Sequence, residues 1–153
     1  MHDYKLCLAA ADRTNARLIG IDAGTKTLGL ALSDVSWMIA SPLETIRRKK
    51  FKSDLERLTA LMDEHQVAGL VLGLPINLDG TEGPRAQSAR ALARNLTQAL
   101  EHPILLWDER LTTAQAERLL IEADASRRRR SEVIDQLAAT LILQSSLDRM
   151  SNI

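Results

Sequence analysis

The stretch RLIGIDAGTKTLGLALSD, residues 17–34, reads as two apolar strands joined by a tight turn. Residues 17–22 make the first strand, and 27–33 its hairpin partner across Ala23-Gly24-Thr25-Lys26. A tight turn explains Gly24, because glycine enters turn conformations at little steric cost. It does not explain Asp22, a carboxylate closing a strand with the composition of a buried one.

Working outward, residues 37–46 form a third extended segment, and Pro42 within it argues for a sheet edge. The basic run RRKK, 47–50, leads into an amphipathic helix over 52–65 with Leu55, Leu58, Leu61 and Met62 on one face. VAGLVLGLP, 67–75, is wholly apolar, as a strand covered on both faces is. After the loop INLDGTEG, Pro84 opens a helix over 84–100 with a stripe of Ala89, Leu92, Leu96 and Ala99. PILLWDER, 103–110, is a further buried strand ending in charge. Thr112 and Gln115 form a capping box for a helix over 113–123, and DASRRRRS breaks the chain before a last helix over 132–148. A three-stranded antiparallel unit followed by alternating strand and helix predicts a mixed α/β sheet with helices on both faces.

Composition narrows the function classes. The 153 residues suit one domain with a substantial core. Lys+Arg and Asp+Glu number 20 each, so a basic surface must come from local clustering. Cys7 alone excludes a disulfide framework and a Cys-rich zinc site. No apolar stretch approaches the roughly 20 residues of a membrane span, so we expect a cytoplasmic protein with no membrane partner. Residues 1–16 read as a loose N-terminal extension. None of the three histidines, His2, His65 and His102, adjoins a nucleophile, which argues against Ser-His or Cys-His chemistry.

Three acidic positions stand at element ends. Asp22 closes the first strand, Asp108 and Glu109 close ILLW, and Asp135 lies in the opening turn of SEVIDQLAATLIL. In open α/β sheets, ligands collect beyond the carboxyl ends of parallel strands. Ala138, Ala139 and Ile142 flank Asp135 at helical spacing, so its carboxylate borders an apolar, small-residue surface. A lone ionised carboxylate there costs several kcal/mol unless something neutralises it. Mg²⁺ or Mn²⁺ shared among carboxylates does so, and two such ions about 4 Å apart serve phosphodiester hydrolysis. Each residue has a plainer reading: Asp22 as an Asx turn, Asp108 and Glu109 as a solvated strand end beside Arg110, Asp135 as a dipole partner of its helix. The coincidence of all three favours the site.

GIDAGTKTLGLALSD, VLGLPINLDGTEG, DERLTTAQAE and IDQLAATLILQSSLD resemble, in order and spacing, the YqgF (RuvX-like) family, described as Holliday junction resolvases and pre-16S rRNA nucleases. The resemblance covers about residues 17–148. It implies a ribonuclease H-like fold with a mixed five-stranded sheet, a nuclease domain over 17–150, and a role in rRNA processing during ribosome biogenesis. It implies Asp22, Glu109 and Asp135 as catalytic, metal-binding residues, with Asp108 in reserve because adjacent strand residues face opposite ways.

For phosphate contact the candidates are Gly24, Thr25 and Lys26 beyond Asp22, Asn77 in the long loop, Arg110, and the run Arg127, Arg128, Arg129 and Arg130. Each also has a structural reading, as turn, loop or solvated charge. With only 3% aromatics, recognition by backbone shape and charge suits structured RNA, or alternatively branched DNA. We expect a monomer or weak homodimer; junction resolution would call for a two-fold dimer. Two further classes compete. Asp-x-Gly-Thr also resembles the phosphate loop of actin-like ATPases, which need two such domains, and a non-catalytic nucleic-acid-binding module would bind without cleaving.

Overall fold

The computed structural model describes residues 16–111, 118, 121–122 and 131–151 (backbone only for 131–134). Alternation along the strands, broken by two register shifts, divides the apolar residues into two cores. β1 (Arg17–Ala23), β2 (Thr27–Ser33), β3 (Ala40–Arg47), β4 (Val67–Leu74) and β5 (Ile104–Asp108) form one sheet in the order β3-β2-β1-β4-β5. β1 pairs antiparallel with β2, and β2 with β3, whereas β1–β4 and β4–β5 are parallel. The mixed five-stranded sheet with Pro42 on an edge strand is as expected from the sequence.

On one face, Ile19, Ile21, Leu30, Leu70 and Leu72 meet Leu58, Leu61 and Met62 of α1 (Phe51–His65) and Leu92 and Leu96 of α2 (Pro84–Ala99). On the other, Leu18, Ala31, Val71, Leu105 and Trp107 meet Ala139, Ile142, Leu143 and Leu147 of α3 (Ser131–Ser151). This period-two division is the one that a sheet covered on both sides requires. The stripe of α2 differs in one place: Ala99 is exposed, while Ala86 and Ala93 are buried.

Two strand boundaries depart from the sequence reading. β3 starts at Ala40 rather than residue 37, because the Asp34 carboxylate accepts N–H bonds from Met38 (2.7 Å) and Ile39 (3.1 Å) and closes a loop. Trp37 in that loop has φ 58° and a buried ring, and its Nε1 donates to the Ala16 carbonyl at 2.9 Å. Gln144, wholly buried on α3, accepts from Ala40 N at 2.8 Å and donates to the Met38 carbonyl at 2.9 Å, pinning the start of β3 to the helix. β5 stops at Asp108, not residue 110, because Leu111 N–H bonds back to the Asp108 carbonyl at 3.0 Å. The expected helix over 113–123, its Thr112–Gln115 cap and the four arginines 127–130 lie almost wholly outside the described residues, as do residues 1–15. Among the described residues, no helix is long and apolar enough to cross a membrane.

Candidate active site

β1, β4 and β5 run parallel and end together, so Asp22 and Glu109 emerge at the same edge of the sheet. Asp22 is paired across β1–β2 with Gly29, and one residue beyond the Ile21–Leu72 pair stands Gly73 on β4. Asp22 is thus flanked on both sides by glycine, and both clearings face α3. At Gly29 the backbone carbonyl of Asp135 occupies the space an alanine methyl would need. At Gly73 such a methyl would lie 2.5 Å from Ile142 Cδ1 and 3.0 Å from Glu109 Oε2. The two glycines therefore let the Asp135 backbone and the Glu109 side chain pack closely against the strands on either side of Asp22.

Electrostatics follow from this crowding. Burial pushes the Asp22 carboxyl above its ordinary pKa; Arg85 opposes that shift, and the Asp135 charge adds to it. Burial likewise raises Glu109, helped by the charge of Asp22 and, less, of Asp108, and opposed by Arg85. Thr27 Oγ1 donates to Asp135 Oδ2 at 2.7 Å, and Arg85 Nη2 stands 3.6 Å from Asp22 Oδ1. Beyond that weak influence on Glu109, Asp108 is engaged elsewhere. Arg110 closes on it through its backbone N–H (2.9 Å), Nε and Nη2 (2.7 Å), which holds the Asp108 carboxyl below its usual range.

Against this geometry stand the comparisons with known proteins. The family model described as "RuvX: Holliday junction resolvase" matches residues 16–149. The chain belongs to the RuvX family. A relative from Cereibacter sphaeroides strain KD131, named "Putative pre-16S rRNA nuclease", is 59% identical over 143 residues, 94% of this chain and 89% of its own. One of the same name from Ruegeria pomeroyi is 55% identical over 145 residues, 95% and 94% of the two chains. Thermus thermophilus RuvC, solved with a Holliday junction, superposes with a TM-score of 0.55 at 12% identity over 88% of this chain and 96% of its own. The yeast mitochondrial resolvase Ydc2 gives 0.52 at 12% identity over 90% and 80%. These two share the ribonuclease H-like fold of the RuvX chain. The family is one of nucleases, hydrolases of phosphodiester bonds.

Other site candidates in this RuvX-family chain are placed less simply. Thr25 and Lys26 are exposed beyond Asp22, and the Gly24 N–H donates to the Thr27 carbonyl at 2.9 Å, closing the turn. Asn77 braces its own loop, donating from its amide to Thr81 Oγ1 (3.0 Å) and from its backbone to the Thr81 carbonyl (2.9 Å). Arg110 is engaged with Asp108, and Arg127 to Arg130 lie outside the described residues. The basic run 47–50 gains a place. Arg48 N–H donates to the Lys26 carbonyl at 2.8 Å and its Nη1 to the Gly24 carbonyl at 2.7 Å, laying this run along the turn after Asp22.

Sequence reasoning missed Thr27 and Arg85. Thr27 carried no signal beyond its place in the hairpin. Arg85 carried one: a cation in the first turn of a helix opposes the helix dipole, an arrangement that invites a reason. Among the described residues no three His, Cys, Asp or Glu side chains stand ready as a metal cage. Asp22 instead faces Arg85, and Asp135 is held by Thr27. The donor set itself suits a hard divalent ion: three carboxylates, two of them resisting ionisation through burial and the charge of a neighbouring carboxylate, a cost that a shared cation removes.

Proposed function

We propose that this chain is a metal-dependent nuclease that processes the 5′ end of pre-16S rRNA, with Asp22, Glu109 and Asp135 holding Mg²⁺ or Mn²⁺. The observation that supports this reading is that, beyond the ends of parallel strands, Asp22 feels the charge of Asp135 and Glu109 that of Asp22, in a family whose relatives bear that nuclease name. When bound, divalent ions would supply Lewis-acid activation of water and stabilisation of the leaving oxygen.

The chain's own residues do the rest. Thr27 fixes the orientation of Asp135, and Gly29 and Gly73 leave room for the Asp135 backbone and the Glu109 side chain beside Asp22. Arg110 draws Asp108 away, leaving Glu109 as the acidic member from the end of β5. Lys26 in the turn after Asp22, and Lys49 and Lys50 next to Arg48, which bonds to that turn, are exposed, where they attract the phosphate backbone and guide it to the site. Such contacts read charge and shape, not sequence, in keeping with structured RNA.

The test compares a precursor 16S rRNA fragment carrying its 5′ extension with a four-way DNA junction, each with and without chelator. Cleavage of the RNA that chelator stops supports the proposal. Cleavage of the junction alone would favour resolvase activity, which the family description names. Cleavage that survives chelation would sink the metal assignment.

A further inference from the structure

We propose that Arg85 is a displaceable counter-ion: it neutralises Asp22 before a divalent cation loads and then turns onto the phosphate backbone of the bound nucleic acid. The inference rests on reading Asp22, Glu109 and Asp135 as ligands of that cation.

Arg85 is held loosely. Its Nη2 lies 3.6 Å from Asp22 Oδ1, beyond the roughly 2.7–2.9 Å of a charge-assisted hydrogen bond. Its side chain is 57% exposed while that of Asp22 is 13% exposed, so packing does not retain the guanidinium. Arg90, one and a half turns along the same helix, shows the contrast. It is clamped to Glu82 through two hydrogen bonds of 2.5 and 2.8 Å.

Its position is otherwise unfavourable. Arg85 is the second residue of α2, whose first turn has no acidic residue and whose N-cap, Gly83, makes no side-chain cap bond. A cation there opposes the helix dipole, so the nearby carboxylates are what favour it. A divalent ion among the same carboxylates supplies their counter-charge and repels the arginine. The released side chain then stands at a helix N-terminus beside the site, where a planar guanidinium and backbone N–H groups both suit a phosphate.

Two titrations test this on Arg85→Ala, Arg85→Lys and Asp22→Asn. In the first, Mn²⁺ is titrated calorimetrically into each protein without nucleic acid. Arg85→Ala should bind Mn²⁺ about two- to fivefold more tightly than the parent, the scale of a partly exposed ion pair, and Arg85→Lys should stay near the parent. In the second, an RNA hairpin with a single-stranded 5′ flank is bound in Ca²⁺ or in chelator. Arg85→Ala should weaken binding about three- to tenfold in Ca²⁺, with a log–log salt slope reduced by about one, and leave binding in chelator unchanged. An unchanged or weaker Mn²⁺ affinity in Arg85→Ala, or an equal loss of RNA affinity with and without Ca²⁺, would overturn the inference alone. Equal Mn²⁺ binding by Asp22→Asn and the parent would overturn the ligand assignment beneath it. Melting temperatures within about 2 °C of the parent would confirm that the exposed Arg85 variants are folded.

Discussion

The Thr27 hydroxyl donates to Asp135 Oδ2 at 2.7 Å, joining the hairpin after β1 to a helix 108 residues later in the chain. One bond thus couples the sheet to the third carboxylate. Thr27→Val keeps the shape and strand preference but removes the donor. It should lower stability by about 1.5–3 kcal/mol in urea unfolding, the range for a hydrogen bond to a charged group. Single-turnover cleavage should fall by more than Thr27→Ser causes, because serine retains the hydroxyl.

Glu109 and Asp108 are neighbours with opposite expectations. Glu109 lies on the α3 side against Gly73 and senses the charge of Asp22, whereas Asp108 is closed on Arg110. Glu109→Gln should reduce the cleavage rate by roughly 100-fold or more, and Asp108→Asn by less than about 10-fold. Parallel rate measurements with matched Mn²⁺ check this, and a larger loss in Asp108→Asn would reverse the assignment.

Much of this was legible in the sequence, for physical reasons. The apolar runs RLIGIDA and VAGLVLGL read as buried strands, the second covered on both faces, and Pro42 argues for an edge. Asp22, the Asp108–Glu109 pair and Asp135 stood out because charge at the end of a buried element is costly, whereas the choice of Glu109 over Asp108 came from the family resemblance. What was not legible depends on contacts between distant segments. Gly29 and Gly73 read as ordinary strand glycines until α3 is laid across them, and Thr27 reads as a strand residue until Asp135 arrives. The start of β3 shifted because an Asp34 side chain captured two backbone N–H groups, a local competition that hydrophobic pattern does not register. The Gly24 turn was legible as a turn, but the use of its N–H within that turn was not.

The glycine clearings make a separable prediction. Gly73→Ala brings a methyl against Ile142 Cδ1 and Glu109 Oε2, both ends of side chains that can shift. Gly29→Ala meets the Asp135 main chain, which can yield only if α3 lifts. Gly29→Ala should therefore cost about 2–4 kcal/mol in denaturant unfolding and Gly73→Ala about 1 kcal/mol. Gly73→Ala should still impair cleavage, by displacing Glu109.

The raised Asp22 carboxyl gives a signed pH dependence. Its folded pKa lies above the unfolded value, so the folded state holds the proton more tightly. That contribution to stability is fully present below about pH 4, the ordinary aspartate value, and is lost as pH rises through the folded pKa. Asp22→Asn is spared this loss. In chelator, the melting temperature of Asp22→Asn minus that of the parent should increase from about pH 4 to pH 7, and saturating Mn²⁺ should narrow the gap by favouring the ionised parent site. A gap independent of pH would contradict the raised carboxyl.

The central claim is that Asp22 anchors a divalent-ion site for phosphodiester hydrolysis. Its most direct test is single-turnover cleavage of the precursor rRNA fragment by the parent and by Asp22→Asn in Mn²⁺, alongside binding of the same RNA. The account predicts that the variant folds, binds the RNA within about threefold of the parent, and cleaves at least about 1,000-fold more slowly. Cleavage by Asp22→Asn at the parental rate would contradict it.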